Sequence, residues 1–586
     1  MLRVDITYVL LAVRFLAVLV ARPSREEPDG LPVRPRAPVW QFERLITLAQ
    51  RDSQEILRQA KLAQQRFERL RRQQLAKLST RDIGCHERIG WYCLYFPRAW
   101  VSLGEAPVVR QAREELIDTL AAAAHSLPGD EWILGQRVRY LVEVARPAEA
   151  LALARNCRIA RSWSCTALAG YAWHVMEDFR CADSAFADAL RAMPEEERRD
   201  WTDISVFLDG EARDIYLASS DQQRDSLERR FWWLADPLYT TPGNDRRTEQ
   251  FARNVLARLY GDGAAEFFTT ESPDVQQIIL RHGLPAGWIK TQYPVTSRIL
   301  VYAPHSRRFV PHPHFLLDPA AIQPREWIRP SSAPSATYAP TYVSSFTPLE
   351  HQVAVFQRGD SAVIVGAYDQ SVDWTWLDEL VEAALILRPD ELSAPVVRSK
   401  RQRGPRGVLI VTVEAKPKLL SFELRSLIVG RAARVRYGLR LGARDPLRLA
   451  ASSLLVLSRP DTLPTSLLRA VSHARGSLRA RPAERLGLYW EVYGLGPQTE
   501  ALWVSVAMYK IGEGEPGQLE DIEFEDEPQI NVEWQEIVPA RTHISSRATA
   551  LELPPDLLPG LYVLYLTVST FGREPLHQAR ALYVEP

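Results

Sequence analysis

Three side chains near the middle of the chain have the types that hydrolysis needs: the carboxylate of Asp236, the guanidinium of Arg253 and the imidazole of His282. An acid, a cation for developing negative charge and a base near neutrality are the parts of a general acid–base site. Trp288 is the fourth candidate group, and Trp232, Trp233 and Asn244 stand with these four as residues of a ligand- or partner-binding surface. One reading is therefore a hydrolase-type enzyme whose cleft lies between this region and the strands that follow. The other reading is structural. Pro237, Pro242 and Gly243 end one helix and shape a loop. Asn244 or Asp245 caps the next helix, and Asp236 and Arg253 form a partly buried pair that braces the loop. Trp232 and Trp233 are adjacent, about 100° apart on a helix, so both cannot face one core. On this reading one of them packs inward, and the other faces outward and meets Trp288 or the helical arm.

The strongest enzymatic signatures are missing. The chain has no P-loop, no G-x-S-x-G elbow and no H-E-x-x-H. His312 and His314 stand two apart, with His305 nearby, but the prolines around them favour a loop, and no metal is expected. Arg358-Gly359-Asp360 spells an adhesive tripeptide at the entry to an apolar run and reads as a polar turn. No cofactor is implied.

Five cysteines bear on the compartment. Cys85 and Cys93 flank seven residues, as do Cys157 and Cys165. Zinc knuckles place ligands two to four apart, so the pairs read as local disulfides, with buried thiols as the alternative. Disulfides require an oxidising compartment. Cys181 is left over and reads as a buried thiol.

These residues need a frame. The hydrophobic share of 46% and charged share of 25% are those of globular domains, and 586 residues make several of them. Formal net charge is zero, which excludes a general nucleic-acid binder. All but seven of the 72 basic residues are Arg.

Residues 1–24 hold an apolar run interrupted by Arg14 and read as an export signal, too short for an easy transmembrane span but compatible with N-terminal membrane association. A Pro-rich linker, 25–38, follows. Residues 39–80 lack Gly and Pro and carry Leu45, Leu48, Ile56, Ala60, Ala63, Phe67 and Leu70 at helical spacing. Their apolar stripe must dock on the next domain or on another chain. Residues 81–200 read as helical. Within them Gly170, Trp173, Ala182, Phe186, Ala189 and Pro194 resemble a tetratricopeptide repeat, in which small residues let two helices approach and large ones fill the groove. From about residue 345 onward, β-branched and aromatic runs alternate with turn signals, predicting one sandwich over 345–445 and a second over 446–586. The basic RSKRQRGPRG at 398–407 and the acidic EGEPGQLEDIEFEDEP at 513–528 read as solvated loops.

One stretch supports a family resemblance. Phe231, Trp232, Asp236, Pro237, Thr241, Pro242, Asn244, Glu249 and Arg253 are followed by Arg281, Gly283, Pro285, Gly287, Trp288, Arg298, Tyr302 and Pro304. Together they resemble the bacterial family named for a Gly-Trp-x-Thr-Asp motif, the GWxTD domain, over roughly 205–310. The motif departs from the family at three places: Lys290 stands for its Thr, Thr291 for its Asp and Ala303 for the Gly of the following turn. The resemblance implies a domain at 201–328 and an exported bacterial setting, and it brings no established catalysis.

The expected architecture is a multidomain α+β chain: an α-helical TPR-like arm, a central α/β GWxTD-like domain and C-terminal all-β sandwiches. The expected role is a non-enzymatic scaffold of the cell envelope, in the periplasm or secreted, that binds other envelope proteins through its helical arm or sandwiches and binds no nucleic acid. A cytoplasmic adaptor is the third possibility.

Overall fold

The computed structural model describes residues 39–74, 85–96, 105–159, 162–208, 210–263, 273–285, 287–290, 298–301, 319, 338, 340–343, 345–443, 448–458, 462–511 and 527–586. The expected export signal and linker lie outside them, as do His305, His312, His314 and most of the acidic 513–528 stretch. The chain divides into two compact units, Met1–Ile56 and Leu57–Pro586. In the first, the described residues 39–56 are helical. Everything below concerns the second.

Helix α1 (Val39–Gln74) is followed by two short strands, β1 (Glu87–Ile89) and β2 (Tyr92–Tyr95). Helices α2 (Pro107–Ser126), α3 (Glu131–Glu143), α4 (Pro147–Arg155), α5 (Ser162–Val175), α6 (Phe179–Ala192) and α7 (Glu195–Thr202) come next. The stripe of α1 beyond residue 56 docks on α3, and it is not purely apolar. Ala60 and Phe67 are buried, and so are Gln64 and Glu68. They are tolerated because α3 satisfies them. Gln64 Nε2 donates to Gln136 Oε1 at 2.6 Å, and Glu68 accepts from Arg139 at 3.0 Å and from the Tyr140 hydroxyl at 2.6 Å. Between α5 and α6 the small residue matters as expected: a Cβ on Gly170 would stand 2.9 Å from the Phe186 ring.

Helices α8 (Gly210–Ala218), α9 (Asp221–Ala235), α10 (Asp245–Gly261) and α11 (Pro273–His282) lead to strands β3 (Gly287–Lys290) and β4 (Arg298–Val301). These strands close a four-stranded sheet in the order β1-β2-β4-β3, with β2 and β4 parallel. The stretch 81–200 is thus not wholly helical. Its hairpin carries Ile89, Tyr92 and Leu94 into a core with Ile278, Ile279 and Tyr260.

The first sandwich holds β5 (Ser345–Pro348), β6 (His351–Arg358), β7 (Ser361–Asp369), β8 (Leu380–Arg388), β9 (Val396–Arg403), β10 (Arg406–Glu414), β11 (Lys418–Ser426) and β12 (Arg431–Leu439). Its sheets run β10-β7-β6 and β5-β12-β11-β8-β9. The second holds β13 (Ala450–Ala451), β14 (Leu455–Leu457), helix α12 (Leu467–Val471), β15 (Arg479–Ala480), β16 (Arg485–Tyr493), β17 (Glu500–Lys510), β18 (Ile530–Val538), β19 (Ile544–Glu552), β20 (Gly560–Thr570) and β21 (Leu576–Val584). One of its sheets centres on β16 and the other runs β15-β21-β20-β17-β18. The chain is a multidomain α+β protein, helices preceding mainly antiparallel sandwiches in which β5–β12 and β15–β21 pair in parallel. The tripeptide at 358–360 closes the β6–β7 hairpin, and Arg358 binds Glu491 of the second sandwich at 2.6 and 2.9 Å.

Two expectations need correction. RSKRQRGPRG is not a loop: it forms most of β9 and the start of β10, with Gly404 and Pro405 crossing between the two sheets. Charges occupy both faces of β9, so the alternation that marks a half-buried strand is missing. Cys181 is exposed. It lies in the first turn of α6, whose core face is taken by Phe179, Ala182, Phe186 and Ala189. Both spaced cysteine pairs form disulfides, Cys85–Cys93 and Cys157–Cys165, with Cα atoms 5.5 and 5.8 Å apart. This is the chemistry of an oxidising environment. Among the described residues no helix is long and apolar enough to cross a membrane.

Candidate functional site

Helix α9 begins with a capping box between Ser220 and Gln223 and ends in Phe231–Ala235, all five residues buried. The expectation that only one of Trp232 and Trp233 faces inward is wrong. This last turn lies between two bodies, so opposite faces of the helix are both interior. On one face Phe231 and Trp232 pack against Phe207, and Arg246 lies over the Trp232 ring at 5.4 Å. On the other, Trp233 stacks on Tyr239, with Arg388 of β8 at 5.6 Å from its ring.

A helix that ends in the interior leaves carbonyls without partners. Strand β12 supplies them. Arg436 Nη1 donates to the carbonyl oxygens of Leu234 and Asp236, each at 2.9 Å. Arg434 Nη1 donates to those of Asp236 and Pro237 at 2.8 and 2.6 Å. Cations at this pole also suit the helix dipole. Glu423 of β11 takes the other side of the loop. Its carboxylate accepts the N–H of Tyr239 and the N–H and hydroxyl of Thr240, all at 3.0 Å. Arg436 Nη2 also donates to Glu423 at 3.3 Å, and its guanidinium lies 3.7 Å from the Tyr239 ring centre. Glu423 and Arg434 are opposite one another in the β11–β12 register, as are Ser421 and Arg436. All four therefore share the sheet face turned away from the sandwich core, where Phe422 meets Tyr368.

The loop returns to α10 through Gly243 at φ +86°, where a Cβ would fall 2.5 Å from the backbone of Phe179. Asn244 then serves two helices. Its Oδ1 accepts the N–H of Arg247 as the N-cap of α10, and its Nδ2 donates to the carbonyl of Trp232 at 2.7 Å. Asp245 is fully buried and accepts the hydroxyls of Tyr338 and Tyr342 at 2.7 and 3.1 Å. Burial pushes its carboxyl up to about 6. Burial and the neighbouring Asp245 push Asp236 well above the usual carboxylate range, and its Oδ1 has no hydrogen-bond partner among the described residues.

Arg253 does not pair with Asp236. It lies one face further along α10, where Nε donates to Glu249 at 2.5 Å and Nη1 to the carbonyl of Arg281 at 2.9 Å. Although burial opposes its ionisation, Arg253 and then His174 hold Glu249 well below the usual range. The His282 side chain is fully buried, with Nε2 3.5 Å from Glu87 of β1. The backbone of Trp288 lies in β3, opposite Leu300. Trp232, Trp233, Asp236 and Asn244 therefore come together, and Arg253 and His282 form a second cluster.

Beside the first group opens a cleft of about 570 Å³, between α6, α9 and the 236–244 loop on one side and β8 with its following loop on the other. Trp232, Trp233, Asp236 and Asn244 line it, together with Glu228 and Arg388. Burial raises Glu228 to about 7, and its carboxylate accepts the Tyr216 hydroxyl at 2.6 Å. Among the described residues no Ser, Cys or His lines the cleft, so none of them forms a nucleophile–imidazole pair there. Among the described residues no group of three His, Cys, Asp or Glu stands close enough to hold a metal.

No family model matches the chain, and no curated protein matches it. Among solved structures it is similar to the crystal structure of red sea bream transglutaminase, at 9% identity over 40% of this chain and 31% of that one, with a TM-score of 0.14. The match spans less than a third of that enzyme, and a likeness of this size says nothing about activity.

Sequence reasoning named one half of the first cluster. Glu423, Arg434, Arg436, Tyr338 and Tyr342 were missed. The available signal was the set of charges in FELR and ARVRYGLR, where apolar residues would fill a buried strand.

Proposed function

We propose that this chain is an extracytoplasmic, non-enzymatic scaffold of the bacterial envelope, with a GWxTD-like central domain. The observation that carries this reading is where the 234–240 carbonyls and amides go. Glu423, Arg434 and Arg436 use them to fasten the helical half to the first sandwich. The backbone of this stretch is thus committed to an internal joint. A scaffold needs such a joint, because partners bound on separate modules keep their spacing only if the modules are fixed. The two disulfides and the export-like N-terminal stretch support an envelope setting.

The hydrolase reading keeps one supporting observation, the cleft itself, which lies between the central region and the first sandwich. Of its candidate groups Asp236 lines that cleft, whereas Arg253 and His282 face Glu249, Arg281 and Glu87.

Cross-linking and pull-down from the native envelope tests the scaffold reading. The full chain is compared with an Asp225→Arg/Arg229→Glu variant, which changes two exposed residues of the cleft wall. A reproducible set of partners with the wild type supports a scaffold, and loss of some of them in the variant assigns those to the cleft. A wild type that captures nothing reproducible removes the proposal.

A further inference from the structure

The outer edge of β9 stands apart from the joint and the cleft. It is the terminal strand of its sheet, pairing with β8 on one side and with no described strand on the other. Seven of its eight residues are exposed, and no Pro interrupts Val396–Arg403. Its backbone N–H and C=O groups on that side are a template for another strand. Arg398, Lys400, Arg401 and Arg403 make it cationic on both faces, since alternate residues point to opposite sides. Only Arg401 has an acidic neighbour among the described residues, Glu382 at 3.2 Å. In a chain of zero net charge this is a local concentration of one sign.

Cations on an edge are a known guard against aggregation. Four cations over both faces go further: they repel a second β9 and any basic strand, and they leave an acidic strand favoured. Val396 and Val397, 41% and 51% exposed, offer apolar contact at one end of the same edge.

We propose that β9 docks an extended, acidic segment of a partner protein by strand addition, main-chain hydrogen bonds supplying attachment and the Arg and Lys side chains supplying selection. The proposal goes beyond the scaffold reading and does not depend on the cleft. The acidic strand of a second copy is a rival occupant, since β18 is also a terminal strand and carries Glu533 and Glu536. It is the poorer fit, because Glu536 is already paired with Arg547 at 2.5 Å.

The test uses the full chain and a fluorescent octapeptide of alternating Glu and Val, read by anisotropy. Three comparisons accompany it: the same peptide N-methylated at alternate amides, a Lys–Val peptide, and an Arg398→Glu/Lys400→Glu variant checked for wild-type circular dichroism and melting temperature. The expected result is binding of the acidic peptide, weakening by about tenfold or more on N-methylation, no binding of the Lys–Val peptide, and loss of binding in the variant. Equal binding of the N-methylated peptide would reduce the edge to a charge patch and overturn the proposal. So would tighter binding of duplex DNA or anionic vesicles, failure of the acidic peptide to bind, or self-association of the chain that the double variant abolishes.

Discussion

The carboxylate of Glu423 accepts both the backbone N–H and the hydroxyl of Thr240, each at 3.0 Å, across 183 residues of sequence. Glu423 is 1% exposed and Arg436, its partner, is not exposed at all. Removing one member of such a pair strands the other in the interior. Glu423→Ala is expected to cost about 3–5 kcal/mol, measured by denaturant unfolding, with Glu423→Gln costing less because it keeps an acceptor. A loss below 1 kcal/mol would mean that the joint is not what holds the loop.

Buried carboxyls give the joint a pH dependence. Asp236 and Asp245 both have folded values above the unfolded one, Asp245 at about 6. The folded state then binds more protons than the unfolded state between the ordinary carboxylate value and the raised one. Stability from these groups is fully present below that window and falls as pH rises through it. Asp236→Asn removes one of the two. It is expected to flatten the decline in stability that sets in as pH rises above the ordinary carboxylate range. A variant with an unchanged pH profile would contradict the burial of a protonated Asp236.

Gly243 has no room for a side chain and holds a left-handed φ. Gly243→Ala adds backbone strain and a collision with the Phe179 backbone, and is expected to destabilise by about 2–4 kcal/mol. Gly210, with open space around it, is the control: Gly210→Ala should be close to neutral. Equal effects at the two positions would contradict the close approach of the loop to α6.

Thiol chemistry separates the five cysteines. The native protein should take up one equivalent of maleimide, at Cys181, with the two pairs protected as disulfides. Reduction should expose all five and lower stability by about 2–3 kcal/mol per bridge, given loops closed over eight residues. Mass spectrometry that finds Cys85 and Cys93 labelled in the unreduced native protein would remove the oxidising-compartment reading.

How much of this was legible in the sequence follows from contact range. Asn244 as a cap, Pro237 and Gly243 as loop formers and the close approach at Gly170 are local, and local signals report them. The fate of Asp236 and Arg253 was not local. Each had a nearer or better partner that linear spacing cannot rank: Glu249 one turn before Arg253, and Arg434 and Arg436 at the Asp236 carbonyl. The two tryptophans misled for a related reason. Adjacent helix positions point about 100° apart, but the end of α9 is surrounded, and one continuous core takes in both rings. Strand β9 was invisible because its charges lie on both faces, which removes the period-two pattern by which strands are recognised.

The central claim is that the 236–244 stretch is a joint rather than an active-site loop. Hydrogen exchange of the Tyr239 and Thr240 amides measures this most directly, since both donate to Glu423. The account predicts protection matching that of strand β11 itself, and loss of both amides' protection in Glu423→Ala under conditions where β11 remains folded. Exchange at the rate of an open loop in the wild type, with β11 fully protected, would contradict it.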